Sequence, residues 1–111
     1  MASRSVAWSH GTAKPARAIK PHADKAAVLL KALANEQRLM ILCNLLEGPL
    51  SVGELNERVK LSQSALSQHL AVLRETNVVS TTREAQSIRY SLPAGAVTQI
   101  IEILYKEFCE S

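Results

Sequence analysis

The stretch LSQSALSQHLAVLR, residues 61–74, decides how this chain is read. Taken as a helix, it sets Leu66, Leu70 and Leu73 at i, i+4 and i+7, one apolar stripe. The other face carries Gln63, Ser64, Ser67, Gln68 and Arg74. A helix face that serves only solubility usually mixes Glu with Lys. This one is uncharged until its last turn and is rich in groups that both donate and accept hydrogen bonds. It is suited to pressing on a polar partner, and DNA offers one: Gln reads base edges bidentately, Ser bonds to either base, and Arg prefers guanine or phosphate.

Working outward, Ser62 is the N-cap of this helix. Ser51 caps a shorter one before it, running to about Val59, with Glu54 as its capping-box partner. A three-residue link between them is the spacing of a helix-turn-helix. Farther upstream, Ala26, Leu29, Leu30 and Leu33 stripe a first helix over 22–33. Asn35 then caps a second helix through Leu39, Leu42 and Leu46, which Gly48-Pro49 ends; Arg38 stands where a capping box would carry Glu or Gln. Past Asn77 the period changes to two. Val79, Thr81 and Arg83, then Ile88, Tyr90 and Leu92, alternate with their neighbours across a short EAQS connection, residues 84–87, which predicts a hairpin. Pro93 closes it and opens a last helix with a broad apolar face of Val97, Ile100, Ile101, Leu104, Tyr105 and Phe108. That face is either docked on the domain or shared with a second copy. The expected fold is mainly α with a β-hairpin wing, a winged helix-turn-helix in the order α-α-α-α-β-β-α.

The 111 residues divide into a basic tail, 1–21, expected to be disordered, and one domain, 22–111. Trp8 in the tail has no evident partner. With 47% hydrophobic but only 4% aromatic residues, the core must be aliphatic. A core this small benefits from a partner subunit. The net charge of +3 is unevenly placed. Arg4, Lys14, Arg17 and Lys20 precede the first acid, Asp24, while Arg58, Lys60, Arg74, Arg83 and Arg89 outweigh Glu75 and Glu84 in the middle. From Tyr90 onward, Glu102, Glu107 and Glu110 outweigh Lys106. A basic middle and an acidic end suit a DNA-facing surface backed by an interaction surface. No apolar run reaches the ~20 residues of a membrane span, and the N-terminus lacks the apolar core of a secretory signal. Two widely spaced cysteines make no secreted disulfide framework. A cytoplasmic protein is expected.

From about Ala23 to Cys109 the chain resembles the ArsR/SmtB family of dimeric winged-helix repressors. The likeness is carried by LLKALANEQRLMILCNLL, LSVGELNERVKLSQSALSQHLAVLRE and REAQSIRYSL, and the serine-rich SxSAxSQHLxxLR element is quite specific to that family. Within it the chain is most similar to the dithiol branch that includes BigR, SqrR and HlyU, whose members carry one Cys in the second helix and one in the last. Cys43 in LMILCNLL and Cys109 in LYKEFCES stand at those places. The resemblance implies a homodimer joined through the first and last helices on an operator that is an imperfect inverted repeat. It also implies a thiol pair bridged by a disulfide or polysulfide link, with release of DNA. The inducer it implies is a low-molecular-weight persulfide or another oxidant such as peroxide, and the regulator either a repressor or an activator that displaces a silencing protein.

Residue chemistry alone leaves a plainer alternative, two packed core cysteines in a constitutive regulator, since free Cys behaves as a small hydrophobe. Lys106, one turn before Cys109, favours a thiolate there, so Cys109 is expected to be the more reactive. Metal sensing fits poorly: LSVGEL, where metal-sensing relatives carry thiols, has none, the last helix has no His, and two Cys are too few for a closed zinc site. No cofactor and no metal are expected. For DNA, Gln63, Ser64, Ser67 and Gln68 are the candidate base or groove contacts, and Ser62, His69 and Arg74 the candidate phosphate contacts. Arg83, Gln86 and Arg89 are candidates in the wing, against the alternative of a solvated hairpin. No Ser-His-acid set forms around His69, and no CxxC or glycine-rich phosphate loop occurs, so no enzyme is expected. A protein-interaction module on the same fold is the remaining rival.

Overall fold

The computed structural model describes residues 14–110, so that residues 1–13 of the expected tail, Trp8 among them, and Ser111 lie outside it. Six helices and three strands follow in the order α1 (Pro15–Ile19), α2 (Ala23–Leu33), α3 (Glu36–Leu45), β1 (Leu50–Ser51), α4 (Val52–Arg58), α5 (Gln63–Glu75), β2 (Ser80–Glu84), β3 (Ser87–Ser91) and α6 (Ala96–Cys109). The architecture is the expected helical one with a small antiparallel wing.

Residues 15–21 of the expected disordered tail are instead helical: α1 runs into a 3-10 turn, Lys20–His22, that leads into α2. Pro15 occupies the first helical position, where its fixed φ is already helical and its missing N–H costs nothing. Ala16, Arg17 and Ala18 are strong helix formers.

The start of α3 explains the unusual Arg38. Asn35 caps it by accepting the Arg38 N–H at 3.0 Å. The Arg38 guanidinium then reaches back, Nε donating to the Ala32 carbonyl at 2.7 Å and Nη2 to the Lys31 carbonyl at 3.3 Å. A cation on the last carbonyls of α2 satisfies orphan acceptors and suits the negative helix end. One residue thus ties α2 to α3.

Between α4 and α5 the link is longer than the three residues expected. Val59 leaves the helix with extended backbone and buries its branched side chain in the core. Asn56 holds the turn by donating to the Leu61 carbonyl at 3.1 Å. At the far end of α5, Asn77 takes a left-handed φ of 61°. The Val78 N–H then bonds the Leu73 carbonyl at 2.8 Å and the Asn77 N–H the Arg74 carbonyl at 3.1 Å, the double closure of a Schellman motif. Val78, next in line, is fully buried, so the same turn that stops the helix seats the lead-in to β2 in the core.

In the sheet β3 is central, in the order β1-β3-β2, both pairs antiparallel. The short β1 escaped sequence reading; it sets Leu50 against Tyr90 and Ser51 against Arg89. The last helix starts at Ala96, three residues past Pro93, because Gly95 at its N-cap takes a φ of 111° that only glycine adopts easily. Thr98 Oγ1 secures the turn by donating to the Pro93 carbonyl at 2.7 Å.

The core is aliphatic, as composition requires: Ile41, Leu42, Leu55, Leu66, Leu73, Val78 and Ile101 are its most deeply buried side chains, and Tyr90 is its aromatic member. The broad face of α6 is divided. Val97 and Ile101 are buried in the domain, Ile100 and Leu104 are half-buried, while Tyr105 and Phe108 are exposed together with Ile103. On α2, Leu33 is buried but Leu30 and Val28 are exposed. Among the described residues no helix is long and apolar enough to cross a membrane.

Candidate functional site

Helix α5 buries Leu66, Leu70 and Leu73 and leaves its opposite face in solvent. Each buried leucine contributes roughly 1.5–3 kcal/mol, which fixes the rotation of the helix about its axis. Gln63, Ser64, Ser67, Gln68 and Arg74 are all exposed on that outer face, as expected, while His69 is half-buried at its edge. Ala71 is exposed among them and was not anticipated. Its lack of any long side chain lets a partner approach closely at the middle of the face. Ser62 has a double role: its Oγ accepts the Ala65 N–H at 3.1 Å and lies 3.4 Å from Ser64 Oγ, so the cap also contacts the first serine of the helix. No acid occupies the first turn of α5, which leaves the positive helix end open to an anion.

The wing separates its three candidates. Arg83 pairs with Ile88 and Arg89 with Thr82 across the hairpin, so the two arginines leave on opposite faces. Arg83 and Gln86 are exposed near the tip. Arg89 is turned inward. Its Nη2 donates to the Pro49 carbonyl at 3.3 Å and lies 3.4 Å from Glu54 Oε1, with Nε 3.8 Å from Glu84. Glu54 Oε1 also accepts the Ser51 N–H at 2.8 Å, and Ser51 Oγ accepts the Glu54 N–H at 3.2 Å. The capping box at the start of α4 is therefore joined through Arg89 to the central strand of the wing. The Ser51 backbone bond first, and the Arg89 charge after it, hold the Glu54 carboxyl below the ordinary carboxylate range.

The two cysteines meet on the other side of the fold. Cys43, half-buried on α3, and Cys109, exposed at the end of α6, line one cleft of ≈ 520 Å³ together with Met40, Asn44, Leu46, Glu47 and Tyr105. The cleft exists because α6 packs across α3. Burial pushes the Cys43 thiol above its ordinary range, and the neighbouring Cys109 thiolate adds to the push. The remaining walls were legible in principle: Met40, Cys43 and Asn44 share one face of α3 by helical spacing, as Tyr105 and Cys109 do on α6, and Glu47 follows in the turn that ends α3. Among the described residues no group of three His, Cys, Asp or Glu side chains converges as a metal site would require.

Residues 35–81 match the family described as "Bacterial regulatory protein, arsR family". The chain is 53% identical over 93 residues to the transcriptional activator HlyU of Vibrio cholerae serotype O1, covering 84% of this chain and 86% of that protein. It is 45% identical over 95 residues to the biofilm growth-associated repressor of Agrobacterium fabrum, covering 86% of this chain and 81% of that protein. The solved structure of reduced HlyU from Vibrio cholerae superposes with a TM-score of 0.77 at 53% identity, covering 84% of this chain and 98% of that one.

Proposed function

The chain belongs to the ArsR family of bacterial regulatory proteins, and we propose that this DNA-binding transcriptional regulator is a dimeric repressor that holds its operator while Cys43 and Cys109 are reduced and releases it when they are bridged. In this reading Gln63, Ser64, Ser67 and Gln68 enter the major groove with Ala71 against a thymine methyl, and Ser62, His69 and Arg74 bond to phosphate. Arg83 and Gln86 bring the wing to the backbone. The apolar surface left bare on α2 and α6, Leu30, Ile103 and Phe108 among it, meets the same surface of a second copy. Two-fold symmetry then sets the two α5 helices about 34 Å apart, one turn of duplex, on an imperfect inverted repeat.

The chemistry needs no cofactor. The Cys109 thiolate attacks the terminal sulfur of a low-molecular-weight persulfide, R–S–SH, giving Cys109–S–SH and R–S⁻. The Cys43 thiolate then attacks Sγ of Cys109 itself, breaking the Sγ–SH bond, forming the Cys43–Cys109 disulfide and expelling HS⁻. When both thiols have first taken up a sulfur, their condensation releases hydrogen sulfide and leaves a trisulfide, which spans a wider gap than a direct bond. Because α3 belongs to the DNA-reading module and α6 to the dimer surface, a bridge between them biases how the reading helices are held apart. A coupling of typical size, ~1–3 kcal/mol, lowers operator affinity about 5- to 150-fold.

The observation that carries this is the shared cleft of Cys43 and Cys109. A peroxide-driven disulfide is the second reading, favoured by the exposure of Cys109. There Cys109 is oxidised to its sulfenic acid by peroxide and condenses with Cys43, with loss of water. Mass spectrometry of reduced protein after separate exposure to persulfide and peroxide tests both. Bridges holding added sulfur after persulfide, with loss of operator binding that Cys43→Ser abolishes, support the first. Bridging by peroxide alone supports the second, and a Cys43→Ser variant that responds like the parent removes both.

A further inference from the structure

We propose that the dithiol cleft has a second compartment that recognises the α-amino-acid end of a small peptide thiol, so that the inducer is a peptide persulfide. This rests on the persulfide reading of Cys43 and Cys109. The compartment is a hollow of ≈ 400 Å³ lined by Glu36, Gln37, Met40, Arg58, Val59 and Lys60. It shares Met40 with the cysteine cleft, so the two hollows are neighbours across one side chain.

Helix α3 connects them. Glu36, Met40 and Cys43 follow at i, i+4 and i+7, one continuous stripe, and Glu47 lies in the turn just past the helix end. Glu36 lies about 10 Å along the axis from Cys43 at 1.5 Å per residue. A second tie joins the walls: Arg58 Nη1 lies 3.5 Å from Glu47 Oε1, with the two side chains 40% and 75% exposed. So exposed a pair is weak, and Arg58 can exchange Glu47 for a ligand carboxylate that it holds bidentately.

The charges select the ligand. Arg58 and Lys60 suit a carboxylate, and Glu36 suits an ammonium, a combination that fits a zwitterionic amino-acid end and not a plain anion. Length narrows it further. A single amino acid cannot reach from Glu36 to the cysteines, whereas an extended peptide covers roughly 3.3–3.6 Å per residue and spans that distance with two or three. Docked in this way, the ligand presents its terminal sulfur to Cys109, and the sulfur transfer is the one already written, the peptide thiolate leaving.

The test uses the reduced full chain and two probes, glutathione persulfide and the persulfide of 2-mercaptoethanol, with cysteine modification followed by quenched mass spectrometry. Lys60→Gln and Glu36→Gln are each expected to slow the glutathione persulfide reaction about 3- to 10-fold and leave the probe without an amino-acid end unchanged. Glu36→Gln is the more telling, because glutathione is a net anion and removing a carboxylate by simple charge would speed it. Lys25→Gln, on α2 outside both hollows, should alter neither rate. Equal effects on both probes, or faster reaction of Glu36→Gln with glutathione persulfide, would overturn the compartment alone. If neither probe modifies the parent protein, the persulfide reading falls and the compartment with it.

Discussion

Arg83 and Arg89 leave the wing from opposite faces, because Arg83 is paired with Ile88 and Arg89 with Thr82 in the hairpin register. The first is exposed near the tip. The second is tied to the Pro49 carbonyl and to Glu54. They are the same residue type on one strand pair, yet they are expected to serve DNA binding by different routes.

Salt dependence separates those routes. Arg83→Gln should weaken operator binding and reduce the slope of log affinity against log salt by about one, as loss of one phosphate contact does. Arg89→Gln should weaken binding with the slope unchanged, since it loosens the wing without removing a phosphate contact. Titrations at several salt concentrations check both; a reduced slope for Arg89→Gln would place it on phosphate.

On the reading face, Gln63→Ala and Gln68→Ala should each lower affinity for the operator by ~1–3 kcal/mol and affect an unrelated duplex much less. The thermal stability of both variants should stay close to that of the parent, because both side chains are exposed. Equal losses on specific and unrelated DNA would show that these glutamines do not read bases.

Inside the same helix the expectation reverses. Leu66 is fully buried, and Leu66→Ala should cost ~2–5 kcal/mol of folding stability. Ser62→Ala, which removes the cap on Ala65, should cost ~1 kcal/mol. Urea unfolding measures both. A larger loss from Ser62→Ala than from Leu66→Ala would contradict the packing described for α5.

Much of this was legible in local sequence because its causes are local. The capping box of Ser51 with Glu54, the caps at Asn35 and Ser62, and the leucine stripe of α5 all act within a few residues. What sequence left out depends on distant partners. Strand β1 exists only because Tyr90 and Arg89 lie beside Leu50 and Ser51. The Pro49 carbonyl and Glu54 beside Arg89 are likewise partners that its spacing in the wing cannot reveal. Helix α1 was missed for another reason: its few residues resemble a linker in composition, and only the position of Pro15 marks a helix start. The meeting of Cys43 with Cys109 required α6 to pack across α3, which no spacing along the chain encodes.

The raised pKa of the Cys43 thiol gives bridge formation a pH signature. A thiol pushed above its ordinary range by burial, and further by the Cys109 charge, stays protonated and unreactive to higher pH. Alkylation of Cys43 in the Cys109→Ser variant should therefore rise with pH along a curve displaced to higher pH in the folded protein than in the same variant unfolded in urea, because burial alone remains to raise it. Overlapping curves would mean that burial does not hold the Cys43 thiol protonated as described.

The most direct measurement compares operator affinity for one protein sample in two states, fully reduced and bridged between Cys43 and Cys109 with the bridge verified by intact mass. A drop of about 5- to 150-fold on bridging, restored by reducing agent, is the predicted result. Equal affinity in the two states, with the bridge shown to be complete, would contradict the dithiol switch.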